Sequence, residues 1–309
     1  MRVLVTGGAG FIGSHLVRAL LARGDQVTVL DDLSTGRAEN LAGLEQSIDF
    51  RRGDVRSADD VREAVARVDA ILHQAAQVSV PRSVEEPVLT GDVNVLGTVR
   101  LLEAARHSGN VRFVLASSCA VYGDAPPPIR EDAQPRPVSP YAASKLAGEH
   151  FVAAAAHAGL RALSLRYFNV YGRGQDARSA YAAVVPAFAQ ALSEGRSPRI
   201  FGDGEQERDL CHVSDVVHAN LLALEARPEA FGRAFNVGTG RAVTMNELAR
   251  QIGGVLGRDI APVHEPERAG DLRRSLADTA LAREVLGFEA EIGLEDGLRR
   301  TLQGAKPAT

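Results

Sequence analysis

Apolar residues along this chain follow two alternating periods. Short, mostly apolar, strand-like runs lie at 3–5, 27–30, 48–50, 70–72, 113–116 and 162–165. Between them lie stretches with helical spacing at 11–23, 59–67, 92–107 and 141–157. Brief, largely apolar runs suit strands buried on both faces. Strand and helix in strict alternation predict an α/β fold built on a doubly wound parallel sheet, with helices on both faces.

Beyond Gly172 the rhythm loosens. Pro186, Pro198 and Gly202-Asp203-Gly204 punctuate it, 209–224 regains helical spacing, and 235–238 reads as one more strand. The tail from Thr244 is mixed, which predicts a smaller mixed α/β C-terminal substrate domain. The proline-rich stretch 125–140 reads either as a wall of a site or as a plain connector.

Bulk properties narrow the function classes. A length of 309 residues allows two domains, or one large domain with an appendage. A net charge of −4 argues against general attraction to nucleic acid or to an anionic membrane surface. Cys119 and Cys211 form no paired framework, so neither a disulfide scaffold nor a bound metal is expected. No run approaches the ~20 apolar residues of a membrane span. The N-terminus turns glycine-rich too early for a secretion signal, so the cytoplasm is the expected compartment.

The glycine-rich turn carries the first chemistry. Thr6-Gly7-Gly8-Ala9-Gly10-Phe11-Ile12-Gly13 follows the first strand and opens the first helix. Glycines there permit a tight turn and bring backbone amides against a pyrophosphate at the helix N-terminus. Asp31 ends the second strand, where a carboxylate hydrogen-bonds a ribose diol and repels a 2′-phosphate; this favours NAD over NADP. Asp54, after the third strand, reads equally as an adenine contact or as a helix cap. The expected NAD-binding Rossmann domain is then 1–172 plus 209–239, leaving 173–208 plus 240–309 for the substrate.

A second signal lies at Ser139-Pro140-Tyr141-Ala142-Ala143-Ser144-Lys145. Ser139 suits a helix N-cap and Pro140 the first helical position. Tyr141 and Lys145 then share a face as i and i+4. A free tyrosine, with a pKa of about 10, is a poor base; an adjacent ammonium favours the phenolate, and reaching about 7 takes roughly 4 kcal/mol. Taken alone, the pair also fits an ordinary amphipathic helix.

With Ser117-Ser118-Cys119, Arg166-Tyr167-Phe168-Asn169, Phe201-Gly202-Asp203-Gly204, Arg208-Asp209 and Arg268-Ala269-Gly270-Asp271 added in order, the chain resembles the extended short-chain dehydrogenases/reductases. More narrowly, it resembles bacterial UDP-glucose 4-epimerases over its whole length. The resemblance implies that Tyr141 is the catalytic base, Lys145 its partner and a cofactor contact, and Ser118 the hydroxyl on the reacting sugar oxygen. It implies NAD contacts at Gly7, Gly10, Phe11, Ile12, Asp31, Asp54, Val55, Ala75 and Ala76. Asn94 matches a position near the active site and equally suits bracing a helix against the sheet. A UDP-sugar is implied at Asn169, Arg208, Arg268, Asp271 and Ser275, the arginines suiting phosphate through their planar fork.

Related chemistries separate on a few positions. Dehydratases of this fold resemble Ser/Thr-Asp-Glu where this chain has Ser118-Cys119-Ala120, which holds no acid–base pair for eliminating water. Reductive 3,5-epimerases share the Ser-Ser-Cys but need a histidine after the Asn-x-Tyr-Gly segment; Arg173-Gly174-Gln175 supplies none, so Cys119 is expected to pack. Epimerases restricted to UDP-glucose carry a bulky residue where Ser275 stands, so N-acetylhexosamines are expected to fit as well. Uronate 4-epimerases place an arginine after the residue matching Gln175; here Asp176 follows, with Arg178 two further on, and a UDP-glucuronate 4-epimerase stays an alternative. A catalytically silent NAD-binding homologue is the other. Val78 stands where some relatives have a cofactor-contacting lysine, which is expected to weaken NAD retention. The family's homodimers pack two helices per subunit; these would be 92–107 and 141–157, with the alanine run 153–156 either allowing close approach or facing solvent.

Overall fold

The computed structural model describes residues 1–109, 111–175, 184–267 and 272–303. In chain order its strands are β1 (Arg2–Thr6), β2 (Gln26–Asp31), β3 (Ile48–Arg52), β4 (Ala70–His73), β5 (Arg112–Ser118), β6 (Arg161–Tyr167) and β7 (Asn169–Tyr171). There follow β8 (Arg199–Phe201), β9 (Glu207–His212), β10 (Ala234–Val237), β11 (Ala242–Thr244), β12 (Val263–Glu265) and β13 (Arg274–Ser275). The helices are α1 (Phe11–Ala22), α2 (Ala58–Val65), α3 (Val80–Glu85), α4 (Pro87–Gly91), α5 (Gly97–His107) and α6 (Pro140–His157). The remainder are α7 (Val184–Ser193), α8 (Val213–Leu224), α9 (Met245–Leu256), α10 (Ala280–Leu286) and α11 (Leu294–Leu302).

Seven strands form one sheet in the order β10-β6-β5-β4-β1-β2-β3, and every neighbouring pair is parallel. This is the doubly wound arrangement, and strand order reverses between β1 and β4, where ligands of such sheets bind. Alternation along each strand feeds two cores. Val3, Val5, Leu72, Val114 and Leu165 face α1 and α8 through Leu16, Leu20, Val216 and Ala219. Leu4, Ile71, Phe113 and Leu115 face the opposite way, onto Val61, Val65, Leu101, Ala105 and Val152.

The second half adds shorter sheets. Strand β9 pairs with β7 and β13 in parallel and with β11 in antiparallel, while β8 pairs with β12. Phe188, Leu192, Ile200, Leu248, Ile252 and Leu298 make its core. The helical spacing at 209–224 overstated the helix: 209–212 belong to β9, and α8 starts at Val213. Asp209 explains the difference, because its buried carboxylate accepts from Thr239, Gly240 and Ala277 and so pins the strand to its neighbours.

Helix α6 begins where the sequence places it, with Ser139 Oγ accepting from the Ala142 amide and Pro140 in the first turn. The 92–107 stretch opens as one widened turn, Asp92–Leu96, before α5. The proline-rich stretch is a connector clamped away from the main cavity. Ala125 and Ile129 pack with Val121, Tyr122, Phe168 and Ala277, and Ile129 exchanges backbone bonds with Leu276 and Asp278. In the alanine run, Ala155 and Ala156 pack inward against the sheet while Ala154 is exposed. Among the described residues no helix is long and apolar enough to cross a membrane.

Phe113 is fully buried near the start of β5. Phe113→Ala is expected to cost about 3–5 kcal/mol, read as a lower denaturant midpoint. A midpoint equal to that of the parent protein would contradict this packing.

Candidate active site

Parallel register brings the chemistry to one edge. Leu30, Thr6, His73 and Leu115 stand side by side across β2, β1, β4 and β5, so the segments that follow them leave the sheet together. They enclose a cavity of about 610 Å³, a size ordinary for small-ligand sites. Its wall includes Gly7, Gly10, Phe11, Ile12, Asp31, Asp54, Val55, Ala75 and Ala76, and also Ser118, Tyr141 and Lys145.

The glycine loop is shaped for close approach. A Cβ on Gly7 would lie 2.7 Å from the Ala75 amide nitrogen, and one on Gly13 would lie 2.1 Å from the Gly7 carbonyl oxygen. Gly7 also has a φ of +67°, which disfavours any residue with a side chain. Gly10 is the N-cap of α1 and no side chain caps that turn, while Phe11, Ile12 and Gly13 face the cavity. Uncapped amide groups at a helix N-terminus are an anion site, so the residues present fit a dinucleotide pyrophosphate.

Asp31 does more than wait for a ligand. Its carboxylate accepts from the Ala9 amide at 2.8 Å and the Leu33 amide at 2.9 Å, so it braces the glycine loop. Burial raises its pKa above the usual carboxylate range, with those two bonds working the other way. Each carboxylate oxygen keeps a further lone pair, so a ribose diol can still be received. Asp54 does not cap α2; Ser57 does, accepting from Asp60. Asp54 instead accepts from the Arg56 amide and guanidinium, and its pKa falls because those bonds outweigh partial burial. Asn94 is off the cavity wall. Its amide is committed to both backbone groups of Gln77 and to Ser144, so in this structure it braces the 74–79 loop against α6.

Tyr141 and Lys145 do share the face expected of them, but the electrostatics run opposite to expectation. The Lys145 ammonium lies 5.9 Å from the Tyr141 ring centroid and donates to the Ala116 carbonyl at 2.8 Å. Burial pushes the phenol up to about 12, although a hydrogen bond with Ser118 works the other way. Burial likewise lowers Lys145 to about 8, opposed by Glu149. The resting tyrosine is therefore protonated, and a phenolate needs positive charge beyond Lys145.

Beneath the lysine lies a network that sequence reasoning missed. Glu149 accepts from Ser117 and is paired with Arg166 at 2.7 Å; both side chains are only 7% exposed. Arg166 also donates to Tyr122 and to the Glu131 carbonyl. The available signal was spacing: Tyr141, Lys145 and Glu149 fall at i, i+4 and i+8 on one helix.

The remaining candidates gather on the second-half strands. Asn169 donates to the Asp209 carbonyl, and Arg208 to the Glu207 and Leu272 carbonyls. Ser275 pairs with Arg208 across β13 and β9, is 5% exposed and lies close enough to the Cys119 thiol to influence it. None of these three lines the main cavity. Burial raises the Cys119 thiol to about 11, which keeps it un-ionised. Arg268, Asp271, Asp176 and Arg178 lie outside the described residues.

The sequence pattern of the NAD dependent epimerase/dehydratase family matches residues 3–238. This chain belongs to that family. The UDP-glucose 4-epimerase of Mycolicibacterium smegmatis is 46% identical over 98% of each chain. A UDP-glucose 4-epimerase of Thermus thermophilus, solved with NAD, superposes with a TM-score of 0.89 at 41% identity, covering 99% of this chain and all of that one. A UDP-N-acetylglucosamine 4-epimerase of Methanobrevibacter ruminantium, solved with UDP-N-acetylmuramic acid, gives 0.93 at 38% identity over 98% and 97% of the two chains. As a member of this family, the chain is NAD-dependent. In it, Cys119 and Ala120 occupy the two positions after Ser118 where the dehydratase pattern has acids.

Removing one partner of the buried pair should expose its cost. Arg166→Met strands Glu149 and is expected to destabilise the fold by about 3–5 kcal/mol. The double change with Glu149→Leu should recover much of that. Thermal unfolding of both variants checks it, and a double variant no better than the single would contradict the pairing.

Proposed function

We propose that this protein inverts C4 of UDP-glucose and UDP-galactose, and of the corresponding UDP-N-acetylhexosamines, through a 4-keto sugar. The observation that carries the reading is that Ser118, Tyr141 and Lys145 share the wall of the cavity that the glycine loop opens. Asp31, Asp54 and Val55 would hold the adenosine end of NAD, the N-terminus of α1 the pyrophosphate, and Lys145 with Tyr141 the nicotinamide ribose. When bound, NAD supplies a reversible acceptor for the C4 hydride and a positive charge beside the phenol.

Every other step belongs to the chain's own groups. Ser118 donates to the reacting sugar oxygen and orients it. Tyr141, as phenolate, takes the O4 proton. Arg208 and Asn169, with Arg268 and Asp271, keep the nucleotide anchored while the keto sugar turns over. Tyr141 then returns the proton to O4, and the charges balance. Ser275 is a small side chain where epimerases restricted to UDP-glucose carry a bulky one, which suits an N-acetyl group.

The proposed division of labour is between two parts of the chain. Residues 1–172 plus 209–239 serve the dinucleotide, and 173–208 plus 240–309 the UDP-sugar. A homodimer through 92–107 and α6 suits the exposed Leu96 and Phe151, each 45% exposed, and the neighbouring Val88 at 76%. Such apolar side chains in one region mark an association surface. The setting proposed is the cytoplasm.

Tyr141→Phe should abolish interconversion of UDP-glucose and UDP-galactose, a loss of at least about 10³-fold. Bound NAD should be retained. Coupled turnover and extracted cofactor measure both, and full activity in that variant would refute the mechanism. Wild-type protein should also turn over UDP-N-acetylglucosamine within roughly tenfold of UDP-glucose, since the small Ser275 side chain leaves one extra group little discriminated against. No turnover of the acetylated sugar, or faster turnover of UDP-glucuronate, would overturn the substrate reading.

A further inference from the structure

A line of buried hydrogen bonds joins the cofactor side of the cavity to the backbone of the base. Thr6, His73, Thr98, Asn94 and Ser144 are 0, 1, 1, 4 and 5% exposed. Thr6 Oγ1 accepts from the Ala75 amide at 3.2 Å and lies 2.7 Å from His73 Nδ1. His73 Nε2 lies 2.9 Å from Thr98 Oγ1. The Thr98 hydroxyl reaches the Asn94 carbonyl at 2.6 Å. The Asn94 amide donates to Ser144 Oγ at 2.9 Å, and Ser144 donates to the Tyr141 carbonyl at 2.7 Å.

The directions of these bonds follow from one contact. The Asn94 carbonyl can only accept, so at 2.6 Å the Thr98 proton must point to it. Thr98 then offers His73 only a lone pair, so Nε2 carries the imidazole proton. Nδ1 is left as an acceptor, and the Thr6 hydroxyl must donate to it. Every donor in the line has one acceptor, and no other tautomer satisfies all of them. Burial, with repulsion from Lys145, lowers His73 to about 3, which leaves the ring neutral.

We propose that His73 is a positioning residue for the reaction: its neutral Nε2–H imidazole fixes the Ala75 loop, on the cofactor side, relative to the Tyr141 turn of α6. This rests on the epimerase reading of the same site. Ala75 and Tyr141 stand on separate segments, following β4 and opening α6, and both line the cavity. Hydride and proton transfer need these two walls in fixed relation, and a misplacement of about 1 Å can cost on the order of a hundredfold in rate. His73 itself is off the cavity wall, so it acts through its partners and not on the substrate.

The test pairs kinetics with a readout that needs no activity. Thr98→Val keeps the side-chain shape and cuts the line after the imidazole; His73→Phe keeps a ring and removes both bonds. Each is expected to lower kcat by about tenfold or more, with KM for UDP-glucose within twofold and NAD content unchanged. Ser164→Ala removes a buried hydroxyl that has no partner among the described residues and lies outside the line, and should leave kcat unchanged. In ¹⁵N NMR of the wild-type protein, His73 should show a protonated Nε2 and a bare Nδ1 that does not titrate between pH 5 and 8. If His73→Phe fails to fold, Thr98→Val and the tautomer decide. Wild-type kcat in Thr98→Val, or an Nδ1–H or titrating imidazole, would overturn the proposal. A wild-type protein without epimerase activity would sink the epimerase reading, while the tautomer still reports on the line.

Discussion

Arg51, Leu30, Thr6, His73, Leu115, Ser164 and Ala234 form one row across the parallel sheet. The rest of the site depends on that register. Because parallel strands all point one way, the segments after Thr6, Leu30, His73 and Leu115 emerge at the same edge. The glycine turn, Asp31, Ala75 and Ser118 are thereby brought around one cavity from positions more than a hundred residues apart. A slip of one residue in β4 would turn His73 to the other face and move Ala75 away from Gly7. The 2.7 Å separation between Ala75 and a Cβ at Gly7 shows how little room there is for such a slip.

Burial sets the chemistry of this edge, and it sets it against ionisation. Tyr141 is held protonated near 12 and Lys145 is pulled down to about 8, so the lysine alone does not make a phenolate. The proposed mechanism therefore makes the base conditional on NAD. A tyrosine that ionises only beside a cationic nicotinamide stays quiet when the cofactor is missing. Beneath it, the Glu149–Arg166 pair adds order without net charge. The pair's weight falls on Ser117 and Tyr122, which hold the ends of β5 and the turn that follows.

The local elements were readable because their signals are local. Ser139-Pro140 predicts the start of α6, and Ser139 does cap it. The apolar runs predict the inner strands of the main sheet, since parallel strands buried on both faces are largely apolar; β3, at the edge, carries Asp49, Arg51 and Arg52 as well. What escaped the sequence depended on partners distant along the chain. Asp54 looked able to cap α2 or to meet the cofactor, and the structure gives the cap to Ser57. Asn94 could brace or bind until Gln77 and Ser144 took its amide. Cys119 and Ser275 are 156 positions apart by number, and nothing short of the fold pairs them. The direction of the Tyr141 shift was misjudged for the same reason: spacing gives a distance to Lys145 but not the desolvation around the ring.

In the proposed reaction C4 is oxidised and re-reduced within one cavity, by a hydride that never meets solvent. UDP-glucose deuterated at C4 tests this most directly. Purified protein without added cofactor should convert it to UDP-galactose with the deuterium still on C4, by mass spectrometry and NMR of the product. Loss of the label to water, or product formed only when external nicotinamide cofactor is supplied in stoichiometric amount, would contradict it.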